Sequence, residues 1–133
     1  DNDICHQIIE AGELSPTEDF VSAIKAEVSR YVYWREMERD APHGGGSGLT
    51  NDFWGYHICT MIALYESFGG TYGLGRRNPS RENLERSIGS PFFSFAIEIN
   101  KALPPEYRRL TDNSREFALA IRRAHQNSKK LIG

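Results

Sequence analysis

Asp52–Phe68 reads DFWGYHICTMIALYESF and is the most apolar segment of the chain. At about 100° per residue, Phe53, Trp54, Tyr56, Ile58, Met61, Ile62, Leu64, Tyr65 and Phe68 cover about two thirds of a helical wheel. A surface helix needs a narrower apolar face, so the pattern predicts a central helix buried on nearly every side. Gly55, Cys59 and Ala63 stand at i, i+4 and i+8. They predict a ridge of small side chains where a second helix approaches closely. Thr50 or Asn51 is the expected N-cap, and Gly69 or Gly70 the expected stop. The segment carries His57 and Glu66 and falls short of the roughly 20 near-continuous apolar residues a membrane span requires.

Other helices are expected to pack around this one. Asp3–Ala11 predicts a short helix ended by Gly12. Ser15-Pro16-Thr17-Glu18 is a helix start, with Ser15 as cap and Pro16 at the first helical position. The helix that follows is expected to reach about Arg39, with Phe20, Val21, Ile24, Val28, Tyr31 and Val32 on one buried face. Trp34 and Met37 lie off that stripe. Ser80 is placed to cap a short helix through Ser87. Ser90-Pro91 repeats the earlier start signal, followed by a stripe of Phe92, Phe95, Ala96, Ile99 and Leu103 that Pro104-Pro105 ends. Thr111, Asp112 or Ser114 is the expected cap of a last helix to about Lys130, with Phe117, Ala118, Ile121, Ala124 and Ser128 inward. No strand, repeat or sustained heptad is visible. The expectation is one all-α domain over residues 1–133, a compact bundle of five or six helices around the central one.

Ala41-Pro42-His43 breaks the second helix. Gly44-Gly45-Gly46-Ser47-Gly48 follows, with the composition of a flexible linker of the engineered kind; a natural glycine-rich loop is the alternative. If the run replaces a native segment, that segment could carry function.

A chain of 133 residues can bury a core without disulfide staples. Cys5 and Cys59 are read as free thiols; no signal-peptide pattern opens the sequence, and the expected location is cytoplasmic. The formal net charge of −2 divides unevenly, with residues 1–52 net −7 and residues 53–133 net +5. Either the two halves attract each other within the fold, or the basic half meets a polyanion.

No motif fixes a reaction. Gly70, Gly73 and Gly75, with Arg76, Arg77 and Arg81, form a helix-connecting turn with solvated arginines, or could approach an anion or nucleic acid. The loop follows a helix, however, and lacks both GxGxxG and Gly-Lys-Ser/Thr, so dinucleotide and P-loop readings fail. Arg115, Arg122 and Lys129 stand seven apart on one face of the last helix, with Arg123 and Lys130 beside them. This stripe could follow a phosphate backbone, or could complement the helix dipole as a solvated face. His57 and Cys59 point about 200° apart on a helix and cannot share one metal ion. Zinc spacings and HExxH are also absent, so no metal and no cofactor is expected. His57 itself is read as a core histidine held by one hydrogen bond. Glu36 and Glu38 are expected to be solvated.

Tyr31, Tyr33, Trp34, Phe92, Phe93 and Tyr107 exceed what a small core obviously needs, and aromatic residues are enriched at interface hot spots. The leading expectation is a non-enzymatic binding module acting through an unknown protein partner or self-association, with Tyr33, Trp34 and Met37 at the interface and no membrane role. The alternatives are nucleic-acid binding by the basic half and a small enzyme built around His57.

Overall fold

The punctuation by serine, threonine, proline and glycine sets most helix ends. The computed structural model describes residues 2–40, 49–73, 81–109 and 112–132, with side chains for all of these except 2, 49–52, 81–84 and 128–132. The helices are α1 (Asn2–Ala11), α2 (Glu18–Arg39), α3 (Leu49–Ser67), α4 (Arg81–Ile88), α5 (Pro91–Ala102) and α6 (Ser114–Ile132), with a 3-10 turn at Pro105–Tyr107. Among the described residues there is no strand, and the six helices pack compactly as an all-α fold. The glycine run at 44–48, Arg76, Arg77, and the Ser80 and Thr111 caps lie outside the described residues.

Helix ends differ from expectation in three places. Thr17, not Ser15, caps α2: its Oγ1 accepts from the Phe20 N–H at 3.3 Å, so Pro16 sits outside the helix. α3 begins at Leu49, which places Thr50 and Asn51 inside the helix rather than at its cap. Asn113 supplies the α6 cap, its Oδ1 accepting from the Glu116 N–H at 3.1 Å. Ser90 caps α5 through the Phe93 N–H as the sequence predicts, with Pro91 leading the helix. Gly69 closes α3 at φ +103°, a conformation glycine adopts without Cβ strain.

α3 packs along α2 on one flank and α6 on the other, while α1 lies against α5 and α2. The α2 stripe of Phe20, Val21, Ile24 and Tyr31 is buried; Val28 and Val32 are half-buried at its edge. Phe117, Ala118, Ile121 and Ala124 are buried from α6. Phe20 stacks on Phe68 at 4.3 Å and reaches Phe95 at 5.9 Å, which locks the start of α2 to the end of α3 and to α5.

α3 is not buried all round. Tyr56, Ala63, Glu66 and Ser67 are exposed, because α2 and α6 cover opposite flanks and leave a strip between them. Only part of the small-residue ridge meets a helix. Cys59 Sγ approaches the Ala124 carbonyl at 3.7 Å, but a Cβ on Gly55 would meet nothing within 4 Å and Ala63 faces solvent. Close approach occurs elsewhere, around the ring of Tyr65. Its hydroxyl donates to the Gly12 carbonyl at 2.6 Å. A Cβ on Gly12 would lie 2.8 Å from Tyr65 Cε1, and one on Gly70 2.2 Å from Cε2. The ring is buried and tethered, so it cannot swing away.

Gly70→Ala is therefore expected to cost about 1–3 kcal/mol through overpacking. Gly55→Ala should be neutral or stabilise by up to about 1 kcal/mol, since it removes a glycine from a helix interior without a clash. Ala63→Leu should stay within about ±0.5 kcal/mol as an exposed substitution. Urea denaturation of the three variants checks this order.

Candidate protein interface

The outer face of α2 begins with small side chains and ends with large ones. Ser22, Ala26 and Ser29 are exposed, and Tyr33 and Met37 continue the same face. Tyr33 is 58% exposed, Trp34 39% and Met37 49%. Trp34 stacks on half-buried Phe53 of α3 at 5.7 Å, and Tyr33 meets Trp34 edge-on at 5.9 Å. Tyr56, one turn beyond Phe53, is 56% exposed. The three interface residues named from the sequence thus lie together, and α3 extends their band with Phe53 and Tyr56. Tyr56 was missed because its wheel position falls among core residues.

Most of the aromatics in excess of a small core's obvious need do not reach the interface. Tyr31, Phe92, Phe93 and Tyr107 are all core residues. Phe92 belongs to an aromatic core that runs from Phe20 through Phe95 and Tyr65 to Tyr72, Phe93 meets Phe117, and Tyr31 and Tyr107 lie against the Arg35 guanidinium.

A charged network supports the band from beneath. Glu27 lies on the buried stripe of α2, and His57 lies opposite on α3; both are almost fully covered. His57 Nδ1 is 2.6 Å from Glu27 Oε2. A carboxylate only accepts, so Nδ1 carries the proton and donates it to this bond. Arg30 clamps the same carboxylate, Nε donating to Oε1 and Nη2 to Oε2, each at 2.7 Å. The His57 ring stacks on Tyr31 at 4.3 Å. Tyr31 Oη accepts from Arg35 Nη1 at 2.7 Å, and the Arg35 guanidinium lies over the Tyr31 and Tyr107 rings at 5.6 and 5.1 Å. Burial raises the Tyr31 hydroxyl above the usual phenol range, with the Arg35 charge opposing it. Glu38, expected to be solvated, is instead half-buried, 3.6 Å from Arg35; Glu36 is exposed.

The histidine is thus a core residue held by a hydrogen bond, as its sequence position suggests. The cavity beside it, lined by Trp54, Ile58, Met61, Asn100 and Phe117 among others, measures about 10 Å³. That is room for one water. Glu27 itself was not singled out, although its place between Ile24 and Tyr31 at helical spacing marks it as a charge on an apolar face.

The basic residues do not form the stripe drawn from spacing. Arg115 is exposed and pairs with Glu85 of α4 at 3.3 Å. Arg122 is buried, so it cannot follow a phosphate backbone on the surface. Arg81 and Lys129 belong to α4 and α6, but their side chains lie outside the described set, as do Arg76 and Arg77 entirely. Arg109 and Arg123 instead line a groove of about 290 Å³ with Trp54, Ala120, Ala124 and Asn127. Arg109 lies 4.0 Å above the Trp54 ring, its backbone N–H and carbonyl both bonded to the Asn100 side chain. Burial lowers its proton affinity below the ordinary arginine value. Sequence spacing gave no sign of Arg109, because it lies in the turn before α6. Cys5 and Cys59 are free thiols, and the described residues include no group of three metal-ligating side chains. No described helix is long and apolar enough to cross a membrane.

No protein-family model, curated protein or solved structure matches the chain.

Two outcomes follow from the buried polar groups. In a double-mutant cycle of Glu27→Ala and His57→Ala, the coupling free energy from urea denaturation should be about 1–3 kcal/mol. Tyr31 and Tyr65 both have hydroxyls raised by burial, Tyr65 with a smaller push from Glu13. A phenol raised in the fold stabilises fully below its unfolded value near 10 and loses that contribution as pH climbs through the folded value. Stability should therefore fall as pH rises above about 10, and Tyr65→Phe should reduce the slope of that fall.

Proposed function

We propose that the protein is a non-enzymatic helical binding module that acts through protein–protein contacts on the outer face of α2, and that its partner is a second copy of the chain. The observation that carries this reading is the exposed band of Tyr33, Trp34, Met37 and Tyr56 over half-buried Phe53. Such grouped aromatics have the composition of an interface centre. The pairing with itself is supported by the order of side chains along the helix. Laid antiparallel about a twofold axis at Tyr33, two copies of α2 set the large Met37 of each opposite the small Ser29 of the other. Arg30 then faces the partner's Glu36 from each side, so unlike charges meet. A groove of about 340 Å³, lined by Ile4, Ile8, Ile24, Lys25, Val28 and Ser29 among others, adjoins the receiving end.

Sedimentation equilibrium across micromolar to millimolar concentration tests this reading. The chain should dimerise, and Trp34→Ala should weaken the dimer by at least about 2 kcal/mol, the loss typical of a hot spot. Glu36→Arg should weaken it too, by setting a like charge opposite the partner's Arg30. A chain that stays monomeric throughout rules out self-association and leaves the band to a different protein.

A further inference from the structure

Arg122 projects from α6 into the protein and is only 3% exposed. Its Nη1 and Nη2 are both sealed from solvent and have no hydrogen-bond partner among the described residues. Tyr72, in the segment after α3, is 6% exposed, and its hydroxyl is likewise buried without a partner. The two groups lie within electrostatic reach: burial raises the Tyr72 hydroxyl above the phenol range, and the Arg122 charge opposes that rise. Rings hold the phenol in place. It meets Phe92 edge-on at 5.3 Å and His125, one turn beyond Arg122 on α6, at 4.6 Å.

A buried lysine or histidine can shed its proton to escape the cost of desolvation. Arginine cannot, because its guanidinium stays charged at every pH a protein survives. An interior guanidinium therefore demands a counter-charge. Among the described residues, the groups that interact with Tyr72 are Phe92, His125, Arg122 and Cys59, and none of them is a carboxylate. The unpartnered set is one of donors: two guanidinium nitrogens and a phenol hydroxyl. The fork of Arg122 matches two oxygens of one group, and a hydroxyl beside it can serve a third.

We infer that Arg122 and Tyr72 form an internal site for a compact oxyanion, a phosphate or a carboxylate. The site is independent of the α2 face and would stand if that face proved unused.

The test is thermal unfolding of the full chain at constant ionic strength, with chloride replaced stepwise by inorganic phosphate in one series and by acetate in another. Phosphate or acetate should raise Tm, by on the order of 10 °C at a hundred times its dissociation constant. A rise with phosphate alone identifies a phosphoryl ligand, and a rise with both a carboxylate-tolerant site. Arg122→Met should abolish the rise, and in chloride it should unfold at a higher temperature than the parent, because an unpaired buried charge has gone. Tyr72→Phe alters no charge, and it should keep the fold and weaken anion binding several-fold by titration calorimetry. The inference is overturned if neither anion shifts the parent's Tm. It is also overturned if Arg122→Met lowers Tm equally in chloride and phosphate, which would show an acid of the chain itself to be the partner. If Arg122→Met does not fold, unchanged anion affinity in Tyr72→Phe overturns it.

Discussion

Glu27 and His57 meet across the α2–α3 interface at 2.6 Å, and the pairing of these two helices depends on that bond. A buried carboxylate is costly unless every lone pair is engaged. Glu27 satisfies the condition by taking Arg30 from its own helix and His57 from the next. The bond fixes the rotation of α2 against α3. That rotation sets the His57 ring on Tyr31, carries Arg35 over Tyr31 and Tyr107, and turns Trp34 outward onto Phe53. The exposed aromatic band and the buried polar network are thus two sides of one helix pairing.

Around Tyr65 the packing is set by shape. Tyr65 is wedged between Gly12 and Gly70 and hydrogen-bonded to the Gly12 carbonyl. Its ring also touches Phe92 and Phe95, so α1, α3, α5 and the segment after α3 all register on a single side chain. Neither glycine is in the left-handed conformation. They are needed here for space, a demand that composition alone does not announce.

Much of this was readable from the residues. Ser90-Pro91, Gly69 and the apolar stripes of α2, α5 and α6 set element type and inward face, because capping and period are local. The exposure of Trp34 and Met37 followed from their departure from the α2 stripe. What failed was of another kind. A wheel shows which residues share a face but not what lies opposite. Tyr56 and Ala63 were therefore placed in a core that does not reach them, and Arg122 on a surface that α6 does not present there. Glu27 went unread because a charged residue on an apolar stripe is legible only beside its partner, 30 positions away.

The division of charge along the sequence takes on a different meaning in the structure. Mutual attraction of an acidic and a basic half would place ion pairs between them. Arg30–Glu27, Arg35–Glu38 and Arg39–Asp40 instead join neighbours on α2, Lys101–Glu98 lies within α5, and Arg115–Glu85 joins two helices of the basic half. Glu27–His57 crosses between the halves, and there the partner is a histidine rather than one of the excess arginines. Among the described residues, positive charge of the second half lines the Arg109–Arg123 groove and is sealed inside at Arg122. Solvent can screen a charge at a groove's edge, but it cannot reach the buried one. Arg122 is therefore a charge whose neutralisation bears directly on the stability of the fold.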